Sequence, residues 1–402
     1  MKQKVSFRFL WMGQSFANLG DVFYIVGLVA ILYMESGSAF YVAVLPFLNT
    51  FGRFAGGIAS PVLFSAFSLK RVLACSQILK TILLVMLCSI YIGTNVSVVF
   101  VFACIVFIAF LDGFASPAMT AMVPRLVEYD EIVRANSFLS VVTETIQLGG
   151  WAVGGLLVAL FNGPSILWIT CVLFILSSIM MALLQDPVHN TSNQRNTKAF
   201  ISQLTKGWKL IWFSPLYRTI HILLLLEVMA SVVWIAAILY VFVAEVLQVS
   251  EAWWGYINTT FFIGLLIGGI GCSKLFRFVE HHTRTLFLLS SIGVCAVTVW
   301  FGLNYVPWIA LFLSILVGIL GQIKSITIDS ILQKRASTED LPILYGAQGA
   351  LLSLSFGVSS LLFGAMTEWK GAPIAFMAAG SILGLAAIIG WINKENFPKN
   401  ID

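Results

Sequence analysis

The chain has 402 residues, of which 59% are hydrophobic and only 10% charged. A water-soluble globular chain carries roughly a quarter charged residues, so the composition excludes a soluble protein and predicts an all-α integral membrane protein. The formal net charge of +5 then says nothing for nucleic acid, because what matters in a membrane protein is where the charges stand.

The basic start, MKQKVSFRFL, leads into an apolar stretch that could mimic a signal peptide. It runs too long, contains Gln14, Asn18 and Asp21, and has no small-residue cleavage site, so it reads as a first membrane helix that is retained. A helix crossing the hydrocarbon core needs ~20 mainly apolar residues. Such runs predict twelve spans, at 9–33, 39–65, 72–92, 96–122, 136–161, 165–184, 218–245, 253–275, 286–304, 307–331, 342–366 and 372–392. With both termini placed in the cytoplasm, 19 of the 23 Lys and Arg fall in inner segments and only Lys370 falls outside. That asymmetry supports the count, since a missing helix would scramble it.

Five acids and three bases lie within these spans. Each ion left unpaired at mid-bilayer costs on the order of 3 kcal/mol. Three bases neutralise at most three acids, so the others must be hydrated, near an end, or protonated. In span one, Asp21 lies thirteen residues past Arg8, roughly 20 Å in at the helical rise. Gln14, Asn18 and Asp21 share one face, and Tyr24 continues it. In span two, Arg53 sits mid-span between Asn49 and Gly56–Gly57 and is expected to pair with an acid, as a structural or a gating residue. In span three, Lys80 is eight residues in and is expected to snorkel to the inner surface, without a role. Span four carries Asp112.

Span five carries Glu144 on a face with Ser140 and Gln147, a position suited to gating or coupling. Gly149, Gly150, Gly154 and Gly155 follow at the spacing that lets two membrane helices approach closely. The one long connection, 185–217, begins as the polar DPVHNTSNQRNT and continues as KAFISQLTKGWKLIWFSPLYR. In the second part Phe200, Leu204, Trp208 and Ile211 form a stripe, read either as a helix lying in the inner interface or as a plain cytoplasmic linker helix. Span seven carries Glu227, and span ten carries Lys324 and Asp329. Lys324 either pairs with Asp112 or faces a substrate.

The two halves answer each other. GGIASPVLF at 56–64 matches GGIGCSKLF at 268–276, and Asp112 falls opposite Lys324, both at an offset of 212 residues. A six-helix half (1–184), a cytoplasmic linker (185–217) and a second six-helix half (218–402), repeated in parallel, form the arrangement of a transporter that holds its substrate near the midplane. The six cysteines all lie in apolar segments without a CxxC pair, and the four histidines show no ligand spacing, so no metal or cofactor is expected. No HExxH, GxSxG or Walker motif is present, which argues against an enzyme and against ATP as the energy source within this chain.

Four stretches carry a family resemblance: GQSFANLGDVFY (13–24), SPAMTAMVPRLVEYDEIVRANSF (116–138), GWAVGG (150–155) and KGWKLIWFSPLYR (206–218). Along its full length the chain resembles the major facilitator superfamily, and it looks closest to the branch of macrolide-efflux and siderophore-exporter proteins. GWAVGG is similar to the span-five motif of proton-coupled drug antiporters, with Trp151 where that motif has proline. The resemblance implies that spans one, four, seven and ten line the cavity, each with a charge here: Asp21, Asp112, Glu227 and Lys324. Two places depart from the family pattern. Ser65 and Ala66 stand where the loop after span two usually carries an Asp-Arg pair, and Ala109 stands about where span four usually carries arginine.

The expectation is a secondary active transporter of a bacterial-type plasma membrane, working as a monomer by alternating access. It exports an amphipathic small molecule (drug, antibiotic or secreted metabolite) in exchange for protons. Asp21, Asn18, Gln14, Asp112, Glu227 and Lys324 would form the coupling site and cavity; Arg53, Glu144, Gly150, Gly154 and Gly155 would serve gating. Its partners are the substrate, protons and the lipid bilayer. Uptake by proton symport and lipid flipping are the competing expectations.

Overall fold

Surrounded by hydrocarbon, a chain must satisfy its backbone hydrogen bonds internally, and in the computed structural model the apolar runs do so as helices. The structure describes residues 2–36, 39–93, 98–161, 163–187, 197–234, 236–250 and 252–400. Among them are fifteen α-helices and no strand: α1 (Lys2–Ser36), α2 (Ala39–Ala66), α3 (Leu69–Gly93), α4 (Val98–Leu126), α5 (Ile132–Leu160), α6 (Gly163–Leu183), α7 (Thr197–Phe213), α8 (Pro215–Ser231), α9 (Ala236–Val241), α10 (Ala252–Lys274), α11 (Phe276–His281), α12 (Thr283–Gly302), α13 (Pro307–Arg335), α14 (Leu341–Lys370) and α15 (Ala372–Ile392). Twelve spans are expected, and nine helices meet the length and apolarity of a span among the described residues.

Two predicted stretches differ. The seventh span, expected as one helix over 218–245, breaks after α8 into a 3-10 turn at Val232–Trp234, then α9, then a π turn at Phe242–Leu247. Aromatic packing surrounds the break. The Trp234 ring lies 4.6 Å from Phe301 and 5.5 Å from Phe376, and Phe242 lies 5.0 Å from Phe301. The start of this span also moves to Pro215, because Ser214 caps it: its hydroxyl accepts from the Tyr217 N–H at 3.4 Å. Serine at the cap and proline in the first turn both favour a helix start.

The linker stretch folds as α7. Residues 188–196 of the expected polar segment lie outside the described residues, as do the side chains of Phe200 and Leu204. Of the rest of the stripe, Ile211 is buried and Trp208 is exposed.

The chain folds as two compact units. The first comprises Met1–Glu128, Thr145–Lys209 and Ala336–Ser353; the second comprises Tyr129–Glu144, Leu210–Arg335 and Leu354–Asp402. The boundary therefore falls inside α5, after Glu144, and inside α14, after Ser353.

In the first unit, Tyr24, Leu84, Ile108 and Phe174 belong to one core. Here α2 crosses α4 backbone to backbone: a methyl at Gly56 would run into the Phe110 carbonyl, and one at Gly113 into the Arg53 carbonyl. In the second unit α10 crosses α13 in the same way, with Gly264 on the Ile315 carbonyl and Gly318 on the Phe261 carbonyl. The repeat extends to the glycines that follow. Gly57 abuts Ala350 of α14 within the first unit, and Gly269 abuts Val141 of α5 within the second.

Candidate functional site

Four charged side chains meet inside the first unit, one from each of its first four helices. The Lys80 ammonium donates to Asp21 at 2.8 Å and to Asp112 at 2.7 Å. Arg53 stands on the far side of Asp112, with Nη2 3.5 Å from its second oxygen. The local sequence explains the meeting. Gly113 admits the Arg53 backbone against α4, which sets Arg53 beside Asp112. Gly20 leaves room for the Phe174 ring next to Asp21, and that ring faces the Lys80 ammonium at 4.7 Å. An aromatic face turned to a cation is attractive, more so away from water.

Lys80 overturns an expectation. It does not snorkel: only 1% of its side chain is exposed, against 23% for Asp21, 13% for Asp112 and 45% for Arg53. The distance of Lys80 from the helix end suggested an escape route, but the direction of the side chain is set by two carboxylates rather than by the nearest water. A signal was present in the sequence. Gln77, Lys80 and Thr81 form a polar stripe on α3, and Thr81 shares a hydrogen bond of 3.0 Å with Ser178 on α6.

Other members of the expected site fall nearby or elsewhere. Gln14 donates to Asn18 at 2.8 Å on the α1 stripe. The Tyr24 hydroxyl and the Gln77 amide nitrogen are buried without a hydrogen-bond partner among the described residues. Asp112 and Lys324 do not pair. Lys324 instead meets Glu227 at 2.8 Å within the second unit, both largely buried, so α8 and α13 neutralise each other. One lysine serving two acids in the first unit changes the expected arithmetic of leftover charges.

Glu144 is half-buried and makes no ion pair or hydrogen bond among the described residues. It is the last residue of α5 that belongs to the second unit. Beyond it, Gly150 packs on Leu19 and Val22, and Gly154 on Val26, all on α1. Gly149 meets nothing within 4 Å, and the surroundings of Gly155 lie outside the described residues. Small residues at Gly150 and Gly154 thus set the approach to the helix that carries Asp21.

Further ion pairs gather at the helix ends. Arg125 pairs with Asp186 at 3.0 Å and donates to the Thr338 carbonyl at 2.9 Å. Lys334 pairs with Glu280 at 2.9 Å and lies over the Tyr129 ring. Lys206 on α7 pairs with Asp340 at 2.7 Å. Partial burial pushes the Asp340 carboxyl up, but hydrogen bonds from Lys206 and Ser337, with the Lys206 charge, outweigh it and hold the group below its usual range.

Long apolar helices in two units, with charges buried and paired inside them, define a multi-pass membrane transporter. The chain belongs to the Major Facilitator Superfamily, whose family model matches residues 10–339. It is 26% identical over 393 residues to the uncharacterized MFS-type transporter YfmI of Bacillus subtilis (strain 168), covering 97% of this chain and 96% of that one. It is 22% identical over 286 residues to the multidrug efflux pump Tap of Mycolicibacterium fortuitum, covering 70% of this chain and 69% of that one. The human organic anion transporter MFSD10 (TETRAN) shares the fold, with a TM-score of 0.79, 11% identity, and coverage of 97% of this chain and 100% of that one.

Proposed function

We propose that the protein is a proton-coupled exporter of an amphipathic organic compound, alternating between inward- and outward-open states in a bacterial-type plasma membrane. In this reading twelve spans cross the bilayer with both termini inside, and one chain provides a complete pathway. The observation that carries it is the sharing of one buried ammonium by Asp21 and Asp112. With both acids ionised, that triad holds one net negative charge, offset only by the half-exposed Arg53 at 3.5 Å, in a place where poorly balanced charge is costly. A proton on either carboxylate cancels it, and so does a cationic group of a substrate. A proton and such a group therefore compete for one site, which is the condition for exchange.

Arg53 moderates this competition from 3.5 Å, and Lys80 keeps either acid paired while the other is neutral. The departures at Ala109 and Ser65–Ala66 leave the coupling to α1, α3 and α4 rather than to the positions usual in relatives. Export as the direction rests on the relative Tap and on the GWAVGG stretch of α5.

Inverted membrane vesicles test the reading. A panel of amphipathic compounds is added after a pH gradient is established, and the collapse of the gradient is followed for wild type and Asp21→Asn. The expected result is compound-induced collapse in wild type that is absent in the variant. Equal responses in both would remove Asp21 from the coupling site.

A further inference from the structure

The four-residue network is closed in its middle and open at its two ends, and the ends have opposite sign. Lys80 is fully enclosed, with two carboxylates and the Phe174 ring around its ammonium. Asp112 gives one oxygen to Lys80 and is largely buried. Arg53 differs. Nearly half of its side chain is exposed, its nearest anion is 3.5 Å away, and none of its five N–H donors makes a hydrogen bond among the described residues.

The exposed side of Arg53 is not the apolar outer face of α2. By the 3.6-residue repeat it points about 120–160° away from the exposed Phe47, Phe51 and Ile58, and within about 40° of Gly57 and Ser60. Those two residues meet α14, at Ala350 and Gly346 respectively. Arg53 stands one helical turn beyond that contact on α2. At the other end Asp21 accepts only from Lys80 among the described residues, is a quarter exposed, and continues the Gln14–Asn18 stripe.

We propose that the first unit recognises a zwitterionic amphiphile, its anionic group taken by Arg53 and its cationic group by Asp21. A guanidinium without hydrogen-bond partners presents a planar fork that fits a carboxylate or phosphate with two parallel bonds. Asp112 at 3.5 Å does not fill that fork. An ammonium on Asp21 takes the place a proton would occupy, so the ligand and the proton exclude each other. Because the ligand is neutral overall, it enters a low-dielectric interior at less cost than an ion. The inference deepens the export reading and rests on it, since Asp21 is the shared position.

Three probes differing in one group each test it: Nε-dodecanoyl-lysine, a zwitterion; its methyl ester, a cation; and its Nα-acetyl derivative, an anion. Binding is measured by calorimetry on the full chain in lipid nanodiscs at one pH. The zwitterion is expected to bind about ten- to a hundredfold more tightly than either relative, the range for losing one charged hydrogen-bonding group. Arg53→Gln should erase the advantage over the ester and keep the advantage over the acetyl form. Asp21→Asn should do the reverse. If Arg53→Gln does not fold, Arg53→Lys retains the charge without the fork and should still lose several-fold against the ester.

Equal binding of ester and zwitterion by wild type overturns the proposal, as does an advantage over the ester that survives loss of Arg53, or no binding of any probe. The two readings fail separately. Proton exchange in vesicles with all three probes bound alike sinks the zwitterion site alone. A zwitterion preference without proton movement sinks the exchange reading alone.

Discussion

Lys80 donates to Asp112 across 2.7 Å with 1% of its side chain exposed. Both partners are central to helices that must cross hydrocarbon, so neither can easily replace the other with water. Removing the lysine leaves two carboxylates facing each other. Lys80→Met should stop transport and cost about 3 kcal/mol or more, as expected when one partner of a buried pair is lost. Thermal unfolding in detergent measures it, and adding Asp112→Asn to Lys80→Met should recover a good part of the loss.

The pair in the second unit predicts a coupling of its own. Glu227→Gln leaves the Lys324 ammonium buried without its carboxylate, and it should cost more than the double change Glu227→Gln with Lys324→Met. The double-mutant cycle is expected to give about 2 kcal/mol or more of interaction, because the groups touch. A cycle that closes at zero would mean that the contact contributes nothing.

Glycines that look alike in the sequence should behave differently. Gly113→Ala drives a methyl into the Arg53 carbonyl and should destabilise by about 1–3 kcal/mol, the range for overpacking. It should also reduce transport, since it displaces Arg53 from Asp112. Gly149→Ala meets nothing within 4 Å and should be neutral or stabilising by about 0.5–1 kcal/mol. Melting temperatures of the two variants, read side by side, check the contrast.

The α7 contact should respond to acid. The Asp340 carboxyl is held below its ordinary value of 3.8. Its contribution is therefore complete above that value and is lost as the pH falls through the lower folded value. Lys206 is nearly half exposed, so the pair contributes only about 0.5 kcal/mol. Hydrogen exchange along α7 should quicken in Asp340→Asn at neutral pH. In strong acid the difference from wild type should vanish.

Much of this was legible in the residues. Apolar run length marked the helices, and the 212-residue offset matched Gly56 with Gly268, which pack on the Phe110 and Ile319 carbonyls of α4 and α13; Gly113, Gly264 and Gly318 lie outside the matched stretches. The α1 stripe pointed to Asp21, and the mid-span position of Arg53 called for an acid, which is Asp112. Other features depended on directions that a linear pattern does not hold. Depth along α3 could not say that Lys80 turns inward, because the two acids that attract it come from α1 and α4. The offset placed Asp112 and Lys324 at equivalent positions, which left pairing between them as one of two readings; each has a partner in its own unit, Lys80 for Asp112 and Glu227 for Lys324. The break in the seventh span has no proline or glycine to announce it, and it is packed by rings from α12 and α15.

The central claim is that the carboxylates around Lys80 take up the exchanged proton. Infrared difference spectra of the membrane-reconstituted protein between alkaline and acidic buffer observe this without any substrate. The account predicts a protonated-carboxyl stretching band in acid that is lost in the double variant Asp21→Asn, Asp112→Asn and shifted in Lys80→Met. A band of unchanged position and size in both variants would place the proton on another group and contradict the account.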